Sequence, residues 1–508
     1  MNFKYSKLSF VILILWSGLT AATVQAKPLD DFGAYVEKAR KEWRIPGVAV
    51  AVVKDDKIIY ARGFGTRTVD RKEPVDENTV FAIGSSGKAF TAASLALLVD
   101  DGELEWDGPV RSYMKSFELH DPYVSRNVTV RDLLTHRTGV GGAGLLWSGS
   151  GFDRNELIYR LRFQDQSIGF RNRFQYNNEM FITAGEIVPA VTNISWDDFL
   201  KQRIFGPLGM TRTNTSVHDF AGMANVSTPH ILVDGKLVPI EYRDGDNGGG
   251  AGNINSSAHD VAQWLRLQLG KGLYDGKRIL SEAVIEDMRT PQIALPKGGY
   301  KDMMPTAHVT AYGMGWFLSE YRGRKLVQHG GAIDGNMANV AMIPEENIGI
   351  VVLTNRYPHA MVYALTLRIF DELLGGEKTD WSTILLDDWR KQGKSLEGPD
   401  LARVTRPDAT PPSLPIASYA GEYSSKLYGD VRVTVEGGRL VLVRGAVSGD
   451  LEHDSGNLFK SRWRNPGFLS VMGLTPVGFS IGPAAVVSSL EFGGGTYVRK
   501  AGTASGGR

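Results

Sequence analysis

The sequence predicts an α/β (α+β) protein whose antiparallel sheet is flanked by helices and a helical subdomain, with a small all-β barrel domain at the C-terminus. Strand patterns lie at both ends of the first 375 residues, around a middle of helices and loops. Short strands and turns then follow a proline-rich stretch. The 508 residues are 42% hydrophobic and 22% charged, as in an ordinary globular protein with more than one domain.

Residues 1–26 have the pattern of a secretory signal. Lys4 and Lys7 precede an apolar run at 8–19, and Val24-Gln25-Ala26 offers small residues before Lys27. The sequence therefore predicts cleavage after Ala26 and a periplasmic or secreted protein. An uncleaved membrane anchor is the alternative, but the apolar run is shorter than the ~20 residues that a spanning helix needs.

The remaining bulk numbers exclude several classes of function. Without Lys4 and Lys7 the chain has 55 basic and 56 acidic side chains, which gives no reason to expect nucleic acid or an anionic membrane as a partner. There is no cysteine, so a thiolate nucleophile and a disulfide framework are both excluded. No His, Asp or Glu spacing indicates a metal site, and we expect no cofactor.

The elements of the first domain follow in order. The apolar stripe from Phe32 to Trp43 predicts a helix, and residues 48–53 and 58–61 predict a hairpin. Residues 89–99 are apolar nearly all round, which predicts a buried helix that ends at Gly102. After further helices, including one at 196–204, strands are predicted at 312–318, 325–328, 337–343 and 348–353, and a last helix at 360–374.

Composition sets the predicted domain boundaries. The catalytic domain is expected at 27–378, and a polar helix with a proline-rich linker at 379–415. A barrel domain is expected at 416–500, with a hairpin at Gly437-Gly438, and a flexible tail at 501–508. The linker prolines are Pro407, Pro411, Pro412 and Pro415.

The most informative motif is Ser85-Ser86-Gly87-Lys88. A serine and a lysine three residues apart lie on one face of a helix, so the amine can accept the hydroxyl proton and activate the oxygen as a nucleophile. Ser112 and Lys115 repeat the spacing. Only the first copy precedes the buried helix, whose N-terminus favours developing negative charge, so Ser85 is the predicted nucleophile and Ser112 a structural residue.

Two further motifs follow in order. Tyr176-Asn177-Asn178 is the only Tyr-x-Asn among 18 tyrosines, and His329-Gly330-Gly331 the only His-x-Gly among 9 histidines. Each motif alone is weak evidence, but the ordered triple is specific. It resembles the serine β-lactamase and penicillin-binding protein superfamily, and most closely the class C β-lactamase-like hydrolases of the D-aminopeptidase and carboxypeptidase branch. Supporting segments are 133–139, 207–210 and 312–316.

The resemblance covers residues 30–375 and implies a β-lactamase-like fold there. The C-terminal domain resembles, more weakly, the lipocalin-like domain of some members. By resemblance, Ser85 attacks a carbonyl, and Lys88 and a low-pKa Tyr176 phenol transfer the proton. The backbone N–H groups of Ser85 and Ala332, on an edge strand, form the oxyanion hole.

The same resemblance implies the substrate-binding residues. Asn178 would contact Lys88 and a substrate amide, and Gly330 and Gly331 would let the substrate backbone approach the strand. His329 stands where many relatives have lysine, so a permanent cation becomes a titratable imidazole, which argues against efficient β-lactamase activity. The alternative is a structural His329 at the strand end. His136 is expected to be structural, and residues 248–252 to form a flexible loop.

The sequence thus predicts an exported serine peptidase or amidase that acts on small or linear peptides through an acyl-enzyme, without a metal or cofactor. An esterase or a weak β-lactamase on the same residues is the enzymatic alternative. A non-catalytic penicillin-binding or peptidoglycan-binding protein is the other. The natural substrate, its D or L preference, the cleavage position and the oligomeric state, a homo-oligomer included, are left open.

Overall fold

The structure, a computed structural model, describes residues 29–296, 298, 300, 303–396 and 409–501. The predicted signal sequence, Pro407 of the predicted linker and the predicted tail beyond residue 501 lie outside the described residues.

One described helix precedes the sheet, most lie in the middle of the first domain, two follow the sheet and one belongs to the barrel. In chain order they are α1 (Phe32–Glu42), α2 (Lys88–Asp100), α3 (Val110–Tyr113), α4 (Pro122–Asn127), α5 (Val130–Leu133), α6 (Gly144–Trp147), α7 (Arg154–Arg160), α8 (Asn178–Thr192), α9 (Trp196–Leu200), α10 (Ala258–Leu269), α11 (Glu282–Met288), α12 (Met361–Leu373), α13 (Trp381–Lys391) and α14 (Pro466–Met472).

The strands of the first domain lie at its two ends, with short pairs between. They are β1 (Gly47–Lys54), β2 (Lys57–Gly65), β3 (Phe81–Ala82), β4 (His230–Val233), β5 (Lys236–Pro239), β6 (Asn255–Ser256), β7 (Leu273–Tyr274), β8 (Lys277–Arg278), β9 (Ile293–Ala294), β10 (Ala311–Tyr312), β11 (Phe317–Tyr321), β12 (Arg324–Ile333), β13 (Asn336–Ile343) and β14 (Ile348–Thr354). Within the described ranges, eight of them form one antiparallel sheet in the order β2-β1-β14-β13-β12-β11-β10-β9.

Both faces of this sheet are covered, and β1 shows how the sequence achieves it. Ala49, Ala51 and Val53 belong to the core on one face, which contains α2 and α10. Val48, Val50 and Val52 belong to the core on the other face, which contains α1, α12 and α13. Successive side chains of a strand point to opposite faces, so a continuous apolar run fits a strand buried on both sides. The predicted sheet with its helical insertion is confirmed.

Two predicted elements differ from the structure. The strand predicted at 312–318 is two strands, because the chain turns between β10 and β11 and pairs Tyr312 with Phe317. Gly315 has φ +77° in that turn, a conformation in which glycine has no Cβ clash. The helix predicted at 196–204 ends as α9 at Leu200, and a π turn continues to Phe205.

The C-terminal domain is a closed antiparallel barrel, as predicted. Its strands are β15 (Gly421–Ser425), β16 (Gly429–Glu436), β17 (Arg439–Arg444), β18 (Val447–Ser455), β19 (Leu458–Trp463), β20 (Thr475–Ile481), β21 (Val487–Phe492) and β22 (Gly495–Arg499). β15 pairs with β22, which closes the ring and leaves no open sheet edge among these strands. The β16–β17 hairpin turns at Gly437 and Gly438, where φ is +55° and +76°.

The barrel packs directly on the catalytic domain. Arg444, 2% exposed, donates hydrogen bonds to the Ser148 carbonyl at 3.0 Å and to the Leu145 carbonyl. Arg160 donates in the opposite direction, to the Lys426 carbonyl at 2.7 Å. The segment from α6 to α7 therefore forms part of the surface that contacts the barrel.

The helix that the sequence placed in the linker lies in the catalytic core instead. Trp381, Leu385 and Trp389 of α13 are buried in the same core as α1 and α12, and Trp389 packs edge-on against Trp43 with 6.0 Å between ring centroids. The apolar face of α13 is therefore buried against the sheet domain and is not exposed between the domains. In the described part of the chain, we find no helix with the length and apolar character needed to cross a bilayer.

Candidate active site

Ser85 lies in a 3₁₀ turn, Gly84–Gly87, that leads directly into α2. Its side chain is partly exposed, whereas Ser86 is buried and donates a hydrogen bond to the His329 carbonyl at 2.8 Å. Gly84 has φ +51°, and a Cβ there would lie 2.7 Å from the Ala332 nitrogen. Only glycine fits this approach, and it brings the Ser85 turn against β12.

Lys88 begins α2 and is completely buried. Its Nζ lies 3.0 Å from Ser85 Oγ, 2.7 Å from Asn178 Oδ1 and 2.6 Å from the Ala251 carbonyl oxygen. Burial lowers the pKa of Lys88 well below its usual value, and nearby Glu179 opposes this only in part. The structure therefore brings together three predicted residues, Ser85, Lys88 and Asn178.

The hydrogen-bond inventory of the amine matches a role as base. A neutral lysine has two N–H donors and one lone pair, whereas an ammonium has three donors. Lys88 Nζ donates to the oxygens of Asn178, Ala251 and Ser85, and loss of one proton would leave a lone pair that faces Ser85 Oγ. The lowered pKa of Lys88 shifts the amine toward this neutral form, which can accept the Ser85 proton.

Tyr176 lies beside the same pair, and Lys88 Nζ is 4.9 Å from the centroid of its ring. Desolvation raises the pKa of Tyr176 above its usual range, and a hydrogen bond with Ser85 opposes the shift. This corrects the expected low-pKa phenol. A phenolate needs a neighbouring cation, and the buried Lys88 is itself driven toward its neutral form. Tyr176 is therefore a protonated phenol in contact with Ser85.

His136 supports the Tyr176 loop, which the sequence did not reveal. Its ring lies against that of Tyr176, with 4.2 Å between centroids, and its Nδ1 accepts a hydrogen bond from the Asn177 N–H at 3.0 Å. Asn177 in turn caps α8 by accepting from the Met180 N–H at 2.9 Å, which fixes Asn178 at the start of the helix. The expectation of a structural His136 is met, but at the site itself.

The loop at 248–252 is also part of the site. The sequence predicted a flexible loop, yet Gly248, Gly249, Gly250 and Ala251 are buried, and Thr91 of α2 donates to the Gly250 carbonyl at 2.7 Å. A Cβ on Gly250 would lie 2.6 Å from the Phe181 carbonyl oxygen. The run of small residues therefore lets the backbone reach Lys88. In the sequence, this run of small residues was the signal that could have placed the loop at the site.

Ala332 lies near the end of β12, which is an interior strand of the sheet rather than an edge strand. Its partner β11 pairs only as far as Gln328, so the chain from His329 to Ile333 has a free edge on that side. Asp334 and Gly335 form a two-residue turn in which Ile333 pairs with Asn336. In a two-residue hairpin the residues on either side of the turn, here Ile333 and Asn336, form a hydrogen-bonded pair. Hydrogen-bonded and non-hydrogen-bonded pairs alternate along an antiparallel ladder, so the Ala332 N–H points away from β13, toward the free edge.

Gly330 and Gly331 have a different role from the predicted one. A Cβ on Gly331 would lie 1.8 Å from the Ile83 carbonyl oxygen, and one on Gly330 would lie 2.4 Å from the Tyr363 hydroxyl. Both faces of the strand are therefore occupied by protein. The missing side chains let the Ser85 turn and α12 approach β12, and a substrate has access to the edge of the strand.

His329 is 1% exposed and is not a cation in this fold. Its Nδ1–H donates to the Gly330 carbonyl at 2.7 Å, and its Nε2 accepts from the Tyr312 hydroxyl at 2.9 Å. Burial, followed by the nearby Lys88, lowers the pKa of His329 to about 3. The expected titratable imidazole is therefore corrected to a neutral one, because the enclosed ring has both nitrogens satisfied and would lose solvation on protonation.

Other predicted or candidate groups lie elsewhere. Ser112 and Lys115 are exposed, and α3 ends between them, so the second copy of the spacing does not share a helix face.

Among the described residues, His218, Asp244 and Asp246 bring their ligand atoms within 4.8 Å of one another, which the sequence spacing did not indicate. Two of the three are exposed, and their polar partners include each other and Ser216.

The antiparallel sheet is covered on both faces, and a partly exposed serine with a buried lysine stands at the start of a central helix. This is the architecture of a serine hydrolase of the penicillin-recognising kind. The Beta-lactamase family model matches residues 32–371, and the chain belongs to that family. Residues 405–493 match a domain of unknown function (DUF3471), which spans most of the barrel.

Relatives agree with this placement. The chain is 29% identical to the unguisins hydrolase ungD of Aspergillus violaceofuscus, over 92% of this chain and 88% of that protein. It is 30% identical to the unguisins hydrolase ungD' of Aspergillus campestris, over 79% and 77%. It is also 29% identical to penicillin-binding protein 4 of Amycolatopsis lactamdurans, over 76% and 94%.

Solved structures share the fold. The octameric penicillin-binding protein homologue from Pyrococcus abyssi superposes with a TM-score of 0.61 at 24% identity, covering 92% of this chain and 99% of that one. SurE superposes with a TM-score of 0.54 at 22% identity, covering 93% and 99%.

Proposed function

We propose that this chain is an exported serine hydrolase that cleaves amide bonds of small or linear peptides through an acyl-enzyme on Ser85. The observation that carries the proposal is the 3.0 Å contact between Lys88 Nζ and Ser85 Oγ, in a site that favours the neutral amine. The family is one of hydrolases, and two relatives are named as hydrolases, which supports a catalytic role.

Acylation starts with transfer of the Ser85 proton to Lys88. Ser85 Oγ attacks the scissile carbonyl carbon, and the carbonyl oxygen becomes an oxyanion that accepts hydrogen bonds from the Ser85 and Ala332 N–H groups. Preorganised backbone donors contribute strongly to such a step, because they need no rearrangement as charge develops. The free edge of β12 leaves the Ala332 donor accessible to the substrate.

Tyr176 completes the proton path. Its protonated phenol contacts Ser85, so it can give its proton to the leaving nitrogen and recover one from Lys88. The amine product then leaves, and the same groups activate water for attack on the ester. Asn178 orients Lys88 through its 2.7 Å hydrogen bond and offers its amide N–H group to the substrate.

The third motif bears on the choice of substrate. His329 supplies no positive charge for a substrate carboxylate, because its imidazole is buried, neutral and paired to Tyr312. This supports neutral peptide amides over β-lactams, whose carboxylate needs a cation. Two alternatives use the same residues. An esterase would cleave esters by the same steps, and a non-catalytic penicillin-binding protein would stop at the acyl-enzyme.

We also propose export and self-assembly. Export is supported by the sequence pattern of residues 1–26 alone. Assembly is supported by the octameric state of the Pyrococcus abyssi homologue. The mass of the secreted chain tests export, because cleavage after Ala26 would leave Lys27 as the first residue. The mass of the particle in solution tests assembly.

The decisive experiment treats the protein with a fluorophosphonate and measures its intact mass. We expect one adduct, mapped to Ser85, and turnover of D- and L-aminoacyl anilides or short linear peptides in a panel that includes nitrophenyl esters and nitrocefin. Turnover of esters alone would make the enzyme an esterase. A stable adduct with penicillin and no turnover of any substrate would make it a binding protein and refute the proposal.

A further inference from the structure

A cavity of about 1190 Å³ lies beside the predicted oxyanion strand and is built from three parts of the chain. Met337 and Tyr363 belong to the catalytic domain, Trp389 and the residues after it belong to the end of α13, and Ser470 belongs to α14 of the barrel. The catalytic domain with α13 therefore supplies most of the wall, and the barrel adds one side of it through Ser470.

The cavity adjoins the catalytic residues. Met337 pairs with Ala332 across β12 and β13, and the Tyr363 hydroxyl fills the space in front of Gly330. Tyr300 and Tyr363, which both line the cavity, also interact electrostatically with the Tyr176 phenol. A substrate held at the free edge of β12 would thus continue into this space.

Two buried polar residues of the cavity, Arg356 and His359, are hydrogen-bonded to other parts of the protein. Arg356 is 1% exposed and donates to the Trp43 carbonyl at 2.8 Å and the Pro358 carbonyl at 3.2 Å. His359 is equally buried, is hydrogen-bonded to Thr354 at 2.9 Å and accepts from the Met361 N–H at 3.1 Å. Asp234, Gln392 and Lys394 also line the cavity, with exposed side chains, and the rest of the wall is mainly aromatic and aliphatic.

This wall chemistry favours an apolar ligand. Methionine side chains adapt to varied apolar shapes, and burying an uncompensated charge among apolar side chains is costly. The volume exceeds the ~300–1,000 Å³ typical of pockets for one small molecule. The space therefore suits several residues of a chain rather than one amino acid.

We infer that this interdomain cavity binds an apolar segment of an extended peptide substrate next to the scissile amide, and that α14 of the barrel forms part of the binding wall. The inference rests on the proposed peptidase function. It assigns the barrel a direct part in substrate selection, with Ser470 as a specificity-determining position.

The test fills the cavity from the barrel side. Ser470→Trp places an indole at the wall, and Ser488→Trp is the matched control, because Ser488 is an exposed barrel serine on β21 that does not line the cavity. The substrates are a single aminoacyl anilide and two longer peptides with the same scissile bond, one extended by leucines and one by glutamates.

We expect the wild-type enzyme to prefer the leucine peptide over the glutamate peptide, and Ser470→Trp to lower kcat/KM for the leucine peptide about tenfold or more, mainly through KM. The single anilide and fluorophosphonate labelling of Ser85 should change little, and Ser488→Trp should match wild type.

Each failure has a distinct signature. A wild-type enzyme that turns over the anilide but shows no preference between the two long peptides overturns the inference and leaves the peptidase proposal standing. Equal kinetics of the two tryptophan variants on the leucine peptide do the same. A wild-type enzyme that forms no adduct at Ser85 instead refutes the proposed function. The wild-type comparison needs no variant, so it holds even where Ser470→Trp folds poorly.

Discussion

The imidazole of His136 lies against the phenol ring of Tyr176, with 4.2 Å between centroids and 32° between planes. The same imidazole accepts a hydrogen bond from the neighbouring Asn177 N–H at 3.0 Å. His136 has φ +55°, so the chain is held in an uncommon conformation to present the ring. We conclude that His136 is a positioning residue for the loop that carries Tyr176 and Asn178.

Replacement of His136 separates the ring from the hydrogen bond. His136→Phe keeps an aromatic surface but loses the acceptor, and we expect kcat to fall up to about a hundredfold with KM little changed, because a small displacement of a catalytic group is costly. His136→Asn keeps an acceptor and tolerates the positive φ, so it should recover part of kcat. Wild-type kcat in a folded His136→Phe variant would contradict this role.

The two Ser-x-x-Lys copies provide a matched pair of variants. Ser85→Ala should lower kcat about a thousandfold or more, since the nucleophile is lost, whereas Ser112→Ala changes an exposed serine and should leave kcat as it is. Steady-state rates on a nitrophenyl ester, with circular dichroism to verify folding, decide it. If the Ser112 variant were the inactive one, the nucleophile would be misassigned.

Lys88 is expected to act as a neutral base. Its lowered pKa means that kcat/KM should rise with pH while the ammonium loses its proton and stay level above that pKa. Lys88→Arg keeps a cation whose pKa is above ~12 and cannot accept the proton, so activity should fall about a thousandfold. Lys115→Arg, at the exposed second copy, is the control. Appreciable activity in Lys88→Arg would exclude this base.

His329 should contribute to acid sensitivity. With its pKa at about 3 in the fold and ~6.5 when unfolded, the unfolded chain binds more protons between these values. The stability that His329 contributes is therefore complete above about pH 6.5 and is lost as the pH falls through that window. Thermal unfolding of His329→Gln from pH 4 to 8 should show a flatter acid limb than wild type. His120→Gln, at an exposed position, should keep the wild-type slope.

Arg444 should hold the barrel on the catalytic domain. Arg444→Met leaves the carbonyls of Leu145 and Ser148 without their donor at the interface, at a cost of about 1–3 kcal/mol. We expect faster proteolysis between the domains and a lower unfolding temperature. Arg432→Met, at an exposed site on β16, should behave as wild type. Equal proteolysis rates in the two variants would mean that other contacts hold the domains together.

Features that depend on neighbouring residues were predictable from short sequence patterns. The apolar run of β1, the glycine hairpin at Gly437-Gly438 and the Ser85–Lys88 spacing each depend on neighbours within a few residues, and each appears in the structure as predicted. The family was accessible for the same reason, because its motifs are short.

Contacts between segments that are distant in sequence became visible only in the folded chain. The spacing of Ser85 and Lys88 could not show that Ala251 binds the amine, that His136 supports Tyr176 or that Tyr312 pairs with His329. The protonation states of Tyr176 and His329 depended on burial by remote residues, so the sequence expectations for them were wrong. The cavity beside the sheet likewise joins distant segments, and its wall at Ser470 of α14 depends on how the barrel packs on the first domain, which the pattern of neither domain encodes.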